Sequence, residues 1–313
     1  MGFLRNDEYR ELEVKFADFC GATYGVSCNT GTAALHLALL ALGVGKNDEV
    51  IVGDFAMAAC AFAVSYCGAT PIFVDAELDT FGVDPTLIEA KITPKTKAIM
   101  VVHVYGRLAK MKEILSVAKR YNLPVIEDAS EAHGACNNSK ADITCYSFYQ
   151  NKIIHGEEGG ICVTNKKQLA DRMNFLKNMA FTKEHDYFHP EIGFNYRMSN
   201  AQAWLILQSL EDYYDNRDKR LQIEDWYDSL IEQKLPKRDA VWFYDAVLPP
   251  SSKQRQDLGL RFPFKPLSSL PMYNQEVGKI AKSLSESLML LPCNPKLRYG
   301  EVEYIVSNLL WFI

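Results

Sequence analysis

The run Val125-Ile126-Glu127-Asp128-Ala129-Ser130-Glu131-Ala132-His133-Gly134, followed by Ser147-Phe148-Tyr149-Gln150-Asn151-Lys152, decides the fold. Each stretch extends a short apolar segment of the kind a sheet buries, and each leads to a reactive group, Asp128 in one and Lys152 in the other. Outward from this pair, strand-like and helix-like segments alternate through the first two thirds of the chain. Residues 24–28, 50–52, 71–74, 98–102, 123–127, 144–148 and 160–164 read as strands. Residues 31–42, 55–66 and 110–121 read as helices, and Asn6 is placed to cap a first helix carrying Leu12, Phe16 and Phe19. The rhythm predicts an α/β fold with a mainly parallel central sheet and helices on both faces.

After Met198 the texture changes. Ser199 can cap a long helix through Leu205 and Leu210 towards Trp226. Beyond it come a strand-like piece at 240–247, a stretch with Pro263, Pro266 and Pro271, and a last helix at 301–312. The expected division is a large domain over residues 1–212 and a smaller α+β domain over 213–313.

Composition narrows the class. In 313 residues, 48% hydrophobic and 23% charged content is that of an ordinary globular chain, and a net charge of −5 gives no electrostatic case for nucleic acid or an anionic membrane. No long apolar span and no signal-peptide layout is present, so a cytoplasmic protein is expected. Eight cysteines are scattered without a CxxC pair, and six histidines show no ligand spacing, so neither a redox motif nor a metal site is signalled.

An acid at the end of one buried strand and a lysine after the next is an arrangement that grips pyridoxal 5′-phosphate. The lysine forms a Schiff base with the aldehyde, and the acid pairs with the ring nitrogen. Upstream, Asn29-Thr30-Gly31-Thr32-Ala33-Ala34-Leu35 joins a strand to a helix start, where free N–H groups and the helix dipole favour a phosphate. Gly31 admits close backbone approach, Thr32 adds a hydroxyl, and Ser147 can bond the same phosphate. Gly156-Glu157-Glu158-Gly159-Gly160 supplies a chain reversal beneath the cofactor. His133 reads as a structural histidine.

These stretches resemble the DegT/StrS-type family of sugar aminotransferases, a fold-type I pyridoxal phosphate group. Further matching motifs are Asn47-Asp48-Glu49-Val50-Ile51-Val52, Gly68-Ala69-Thr70-Pro71-Ile72-Phe73-Val74-Asp75, Val102-His103-Val104-Tyr105-Gly106 and Gly193-Phe194-Asn195-Tyr196-Arg197-Met198. The Glu127–Gly134 details and Asn151-Lys152 look most like members acting on GDP-linked sugars. The resemblance implies Lys152 as the Schiff-base lysine and Asp128 as the ring-nitrogen partner. Glu131 would lie beside the ring, Thr32, the Ala33 N–H and Ser147 at the phosphate, and Asn195 would reach the phosphate of the other subunit in a homodimer with shared active sites. It further implies glutamate as amino donor and a nucleotide-linked 4-keto-6-deoxy sugar as acceptor. Tyr105 and Arg197 would fix loops.

The chain also departs from that pattern. Met57 stands where an aromatic usually stacks on the ring, and Ser268 stands where a histidine is common. His155 replaces a smaller residue. His155 and Ser268 are candidate substrate contacts. An N-terminal arm that often helps wall the sugar site in the family is expected to be lacking, and the region 250–261 reads as shorter than usual. The lacking arm, Met57 and Ser268 leave open a second reading, an idle cofactor-binding regulatory or scaffold dimer, and a third is a sugar dehydratase or deoxygenase of the same family. Dehydratases of this kind tend to carry histidine in place of the lysine, which Lys152 argues against.

Overall fold

The computed structural model describes residues 7–183, 187–247 and 256–310. The cap expected at Asn6, the last two residues of the helix expected at 301–312, and residues 250–255 of the shortened region lie outside these.

Seven strands form one sheet: β1 (Tyr24–Cys28), β2 (Glu49–Gly53), β3 (Thr70–Val74), β4 (Thr96–Val102), β5 (Val125–Asp128), β6 (Ile143–Ser147) and β7 (Gly160–Thr164), in the spatial order β1-β7-β6-β5-β4-β2-β3. The run from β3 to β6 is parallel, and β7 is antiparallel to both β6 and β1. The mainly parallel sheet is therefore present. The helices of this part are α1 (Glu8–Phe19), α2 (Gly31–Ala41), α3 (Ala58–Tyr66), α4 (Pro85–Ile88), α5 (Met111–Tyr121) and α6 (Lys167–Lys177).

Strand alternation explains why these runs are apolar throughout. Val50, Val52, Met100, Val102 and Ile126 point into a cluster with α2 and α3, while Ile51, Ile99, Val101 and Val125 point into another with Ile114 and Val117 of α5. Both faces are covered, so no strand position can be polar without a partner.

The remaining elements are α7 (Asn200–Glu211), α8 (Tyr213–Leu230), β8 (Tyr244–Val247), α9 (Lys279–Ser287), β9 (Leu288–Leu291) and α10 (Tyr299–Leu310). Ser199 does cap α7, through a capping box closed by Gln202. The single long helix expected from here is instead two, divided at Asp212. The Asp212 N–H returns to Gln208 O and ends α7, and the next residue, Tyr213, turns inward to donate its hydroxyl to His133 O at 3.2 Å. Strands β8 and β9 pair antiparallel. Met289 and Leu291 pack with α8 and α10, whereas Leu288 and Leu290 join the cluster of α2 and α3.

Carboxylates tie this last part to the sheet. Asp54, just after β2, accepts from Ser268 N–H and from the Ser268 hydroxyl, both at 2.8 Å, and from Gly278 N–H at 3.1 Å. Asp75 accepts from Ile280 and Ala281 N–H groups at the start of α9. Deeper, Asp245 on β8 accepts from Arg107 Nη1 at 3.1 Å and Arg238 Nε at 2.7 Å, and Arg238 Nη1 reaches Glu224 of α8 at 2.8 Å. All four charged groups are buried. Removing one member of such a network leaves uncompensated buried charge, which typically costs about 3–5 kcal/mol. Asp245→Ala is expected to lower the stability by that amount, read as a drop in the urea midpoint. A midpoint unchanged from that of the parent chain would show that the two arginines find other partners.

Candidate active site

A cavity of about 570 Å³ opens at the carboxyl ends of β4, β5 and β6, where a parallel sheet places its ligands. Gly31, Thr32, Met57, Asp128, Glu131, Ser147 and Lys152 all line it. Residues far apart in the sequence are thus brought together as expected.

One end of the cavity is the start of α2. Thr30 caps the helix, its hydroxyl accepting from Ala33 N–H at 3.1 Å. Ala33 is therefore not part of the wall, and its N–H is already engaged by the cap. Ser147 ends β6 directly against Gly31: a Cβ on Gly31 would sit 2.6 Å from the Ser147 Cβ. Only glycine lets the helix start approach this serine, and Gly160 meets Thr30 O in the same way, at 2.3 Å. The result is a cradle of backbone N–H groups and hydroxyls shaped for a phosphate.

The opposite end carries charge. Asp128 ends β5 buried, with Oδ1 accepting from Ser130 N–H at 3.0 Å and Oδ2 from the Cys60 thiol at 3.2 Å. Burial first, and Asp128 second, push the Cys60 thiol well above its usual range, so it stays a protonated donor. Lys152 is buried, with Nζ 3.8 Å from Glu131 Oε1 and 3.9 Å above the Trp242 ring. Burial lowers the pKa of Lys152 from the ordinary lysine value, and the nearby Glu131 and Asp128 partly offset it. Burial likewise raises Glu131, to about 7, against the pull of Lys152. Both members are driven towards their neutral forms, the condition a lysine nucleophile and base requires.

Trp242 was not visible as a site residue in the sequence. It lies in Val241-Trp242-Phe243, a run that reads as core, yet its Nε1 donates to Asn151 O at 3.1 Å and its face covers Lys152 Nζ. Arg261, Phe262 and Phe264 also line the cavity without having been singled out. Tyr105, held at φ 52°, links the two parts: its N–H donates to Glu131 Oε2 at 2.8 Å and its hydroxyl accepts from Phe264 N–H at 2.9 Å. That loop-fixing role agrees with the sequence reading.

Other expected residues fall elsewhere. Met57 alone of these is at the cavity, where it is the N-cap of α3 and 53% exposed, with its side chain free to pack on a flat ligand. Asn195 is exposed and bridged to Asn178, outside the cavity of its own chain. Arg197 Nη1 donates to Asn178 Oδ1 at 2.7 Å. Ser268 is fully buried, and its hydroxyl is spent on Asp54, so the structure does not bring it to a substrate-accessible surface. His155 is exposed and lines a neighbouring cavity together with Lys152. His133 is buried and stacked on Tyr146 and Phe148. Burial, then Lys152 and Arg220, lower its pKa to about 3, which keeps it neutral.

The sequence pattern of the DegT/DnrJ/EryC1/StrS aminotransferase family matches residues 2–310. The chain belongs to this family. As a DegT/DnrJ/EryC1/StrS aminotransferase it is 38% identical to GDP-perosamine synthase of Caulobacter vibrioides, covering 96% of this chain and 88% of that protein. It is 32% identical to dTDP-3-amino-3,6-dideoxy-alpha-D-galactopyranose transaminase of Aneurinibacillus thermoaerophilus, covering 97% and 90%. The fold superposes on that of DesV from S. venezuelae, solved with a ketimine intermediate, at a TM-score of 0.90 and 30% identity, covering 98% and 90%. The cofactor of this aminotransferase is pyridoxal phosphate. The residues present fit it: a phosphate cradle at α2, a buried carboxylate and a buried lysine face one cavity.

Proposed function

We propose that this enzyme moves an amino group from glutamate to a nucleotide-linked 4-keto-6-deoxy sugar, with GDP as the nucleotide. The observation that carries the reading is the convergence of Lys152 and Asp128 on one cavity. The choice of GDP rests on the 38% identity to GDP-perosamine synthase.

Bound pyridoxal phosphate supplies an electron sink for the negative charge left when a proton is taken from the donor carbon. The chain's residues do the rest. The Thr32 and Ser147 hydroxyls and the N–H groups of Gly31 and Thr32 would hold the phosphate. Asp128, held by Ser130 and Cys60, would pair with the ring nitrogen and keep it protonated. Met57, exposed at the cavity, would pack against the ring face. Lys152 Nζ, biased to the neutral form by burial, takes the Cα proton of glutamate; in the second half it returns a proton to the sugar carbon that receives nitrogen. Asn195, turned away from its own cavity, serves the phosphate site of a second subunit, so the working unit is a homodimer. No helix among the described residues is long and apolar enough to cross a membrane, and the enzyme works in the cytoplasm.

The test is two-stage. Glutamate added to the loaded protein should convert the cofactor spectrum to its pyridoxamine form, and GDP-, dTDP- and UDP-linked keto sugars should then restore it, the GDP-linked one fastest. A spectrum indifferent to glutamate would instead favour an idle cofactor-binding dimer.

A further inference from the structure

Beside the main cavity lies a second, of about 560 Å³, between the loop after β6, the start of α8 and the segment after β9. Asn151, Lys152 and Arg261 line both, so the two spaces meet at the lysine. The wall of the second is one-sided in charge. Besides Lys152 it carries His155, Lys219, Arg220, Arg261 and Lys296, and among the described residues no aspartate or glutamate lines it.

Four permanent cations around one space repel each other unless an anion joins them. None of Lys219, Arg220, Arg261 and Lys296 forms an ion pair with a carboxylate among the described residues. Arg220 is the telling member. It is 7% exposed, its Nη1 donates to Trp242 O at 2.6 Å, and its Nε is buried with no hydrogen-bond partner. A buried guanidinium with an unused N–H costs free energy that a bound anion would recover. Arg261 stacks its guanidinium 4.8 Å from the centre of the Phe243 ring, which leaves its N–H edge available. The strain also shows in the neighbours. After burial, Arg220 is what lowers the pKa of His155, and Arg261 is among the groups lowering that of Lys152.

We infer that this basic cavity is the subsite for the diphosphate of the acceptor, with Arg220, Arg261, Lys219 and Lys296 binding the two phosphoryl groups while the sugar reaches past Asn151 to Lys152. This rests on the reading of the enzyme as an aminotransferase of nucleotide-linked sugars. Two adjacent phosphoryl groups match the number and closeness of the cations better than the single carboxylate at either end of glutamate. Arginine forks and lysine point charges are the usual means of holding them.

The experiment compares the loaded parent enzyme with Lys219→Ala/Lys296→Ala, both exposed and so removable without touching the core, and with Arg220→Lys. GDP binding is measured by calorimetry, and the glutamate half-reaction is followed separately by absorbance. Each lost charged contact is expected to weaken GDP about tenfold. The double variant should therefore lose roughly a hundredfold, with a loss at least tenfold larger than any rise in glutamate KM. The parent Kd should rise with salt. An unchanged GDP Kd in both variants overturns the proposal, and so does a rise in glutamate KM that matches or exceeds the GDP loss, which would give the cavity to the amino donor. The two readings fail separately. A parent enzyme that binds GDP through these residues but gives no half-reaction sinks the aminotransferase reading alone, and one that runs the half-reaction but binds no GDP sinks the subsite alone.

Discussion

Lys152→Ala is expected to abolish the visible absorbance that lysine-bound pyridoxal phosphate gives, and to reduce turnover by on the order of 10³–10⁴-fold, the upper range for losing a positioned base. The structure makes the size of the effect specific to this residue. Among the described residues lining the main cavity, the only other cation is Arg261, which cannot deprotonate at any accessible pH. His133 is buried and neutral, with its rings stacked on Tyr146 and Phe148, and is not among the residues lining the cavity, so it cannot take over. Truncation also removes a buried amine from the face of Trp242 and from Glu131, and leaves no unpaired charge behind where both are neutral. The variant should therefore fold and retain the cofactor non-covalently, seen as a free-aldehyde spectrum that washes out more readily on dialysis. A visible spectrum identical to the parent's would sink the assignment of Lys152.

The parts of this site that were legible in the sequence share a physical reason. Strands buried on both faces must be apolar throughout, so β2, β4 and β5 stand out as runs, and a charged residue at the end of such a run, like Asp128, has no bland place to be. The start of α2 was legible because Thr30-Gly31-Thr32 is a cap with a glycine where Ser147 presses in. What was not legible came from the last third of the chain. Strand β9 is only Leu288–Leu291, and helix α9 before it is short; both are apolar enough to bury but carry no turn signal that fixes their ends. Trp242 and Ser268 show the two directions of error. Trp242 sits in an apolar run and reads as core, yet it covers Lys152. Ser268 occupies a position where relatives suggest chemistry, yet Asp54 claims both its N–H and its hydroxyl. In each case the partner lies about a hundred or more residues away, and short-range pattern carries no information about it.

Asp128→Asn separates holding the cofactor from activating it. Asparagine keeps the shape of the side chain. Its amide oxygen can still accept from Ser130 N–H, so the end of β5 should remain as it is. What is lost is the negative charge, on a side chain that is itself buried, that would keep the ring nitrogen protonated. Removing one such electrostatic stabiliser costs about 2.7–4 kcal/mol in the transition state, or roughly 10²–10³ in kcat. Glutamate affinity should change far less, because the amino donor does not touch this carboxylate in order to bind. The expected result is a protein that still shows the lysine-bound spectrum, since Lys152 is intact, but whose half-reaction with glutamate is slowed by two to three orders of magnitude. A cofactor analogue methylated at the ring nitrogen, and so permanently positive, should restore part of the rate in the variant while leaving the parent little changed. A purely structural Asp128 would predict the reverse: a loss of cofactor binding that no analogue repairs. Full activity in Asp128→Asn would remove the acid from the mechanism altogether, and with it the reason for an ionisable group, rather than an amide, at the end of this strand.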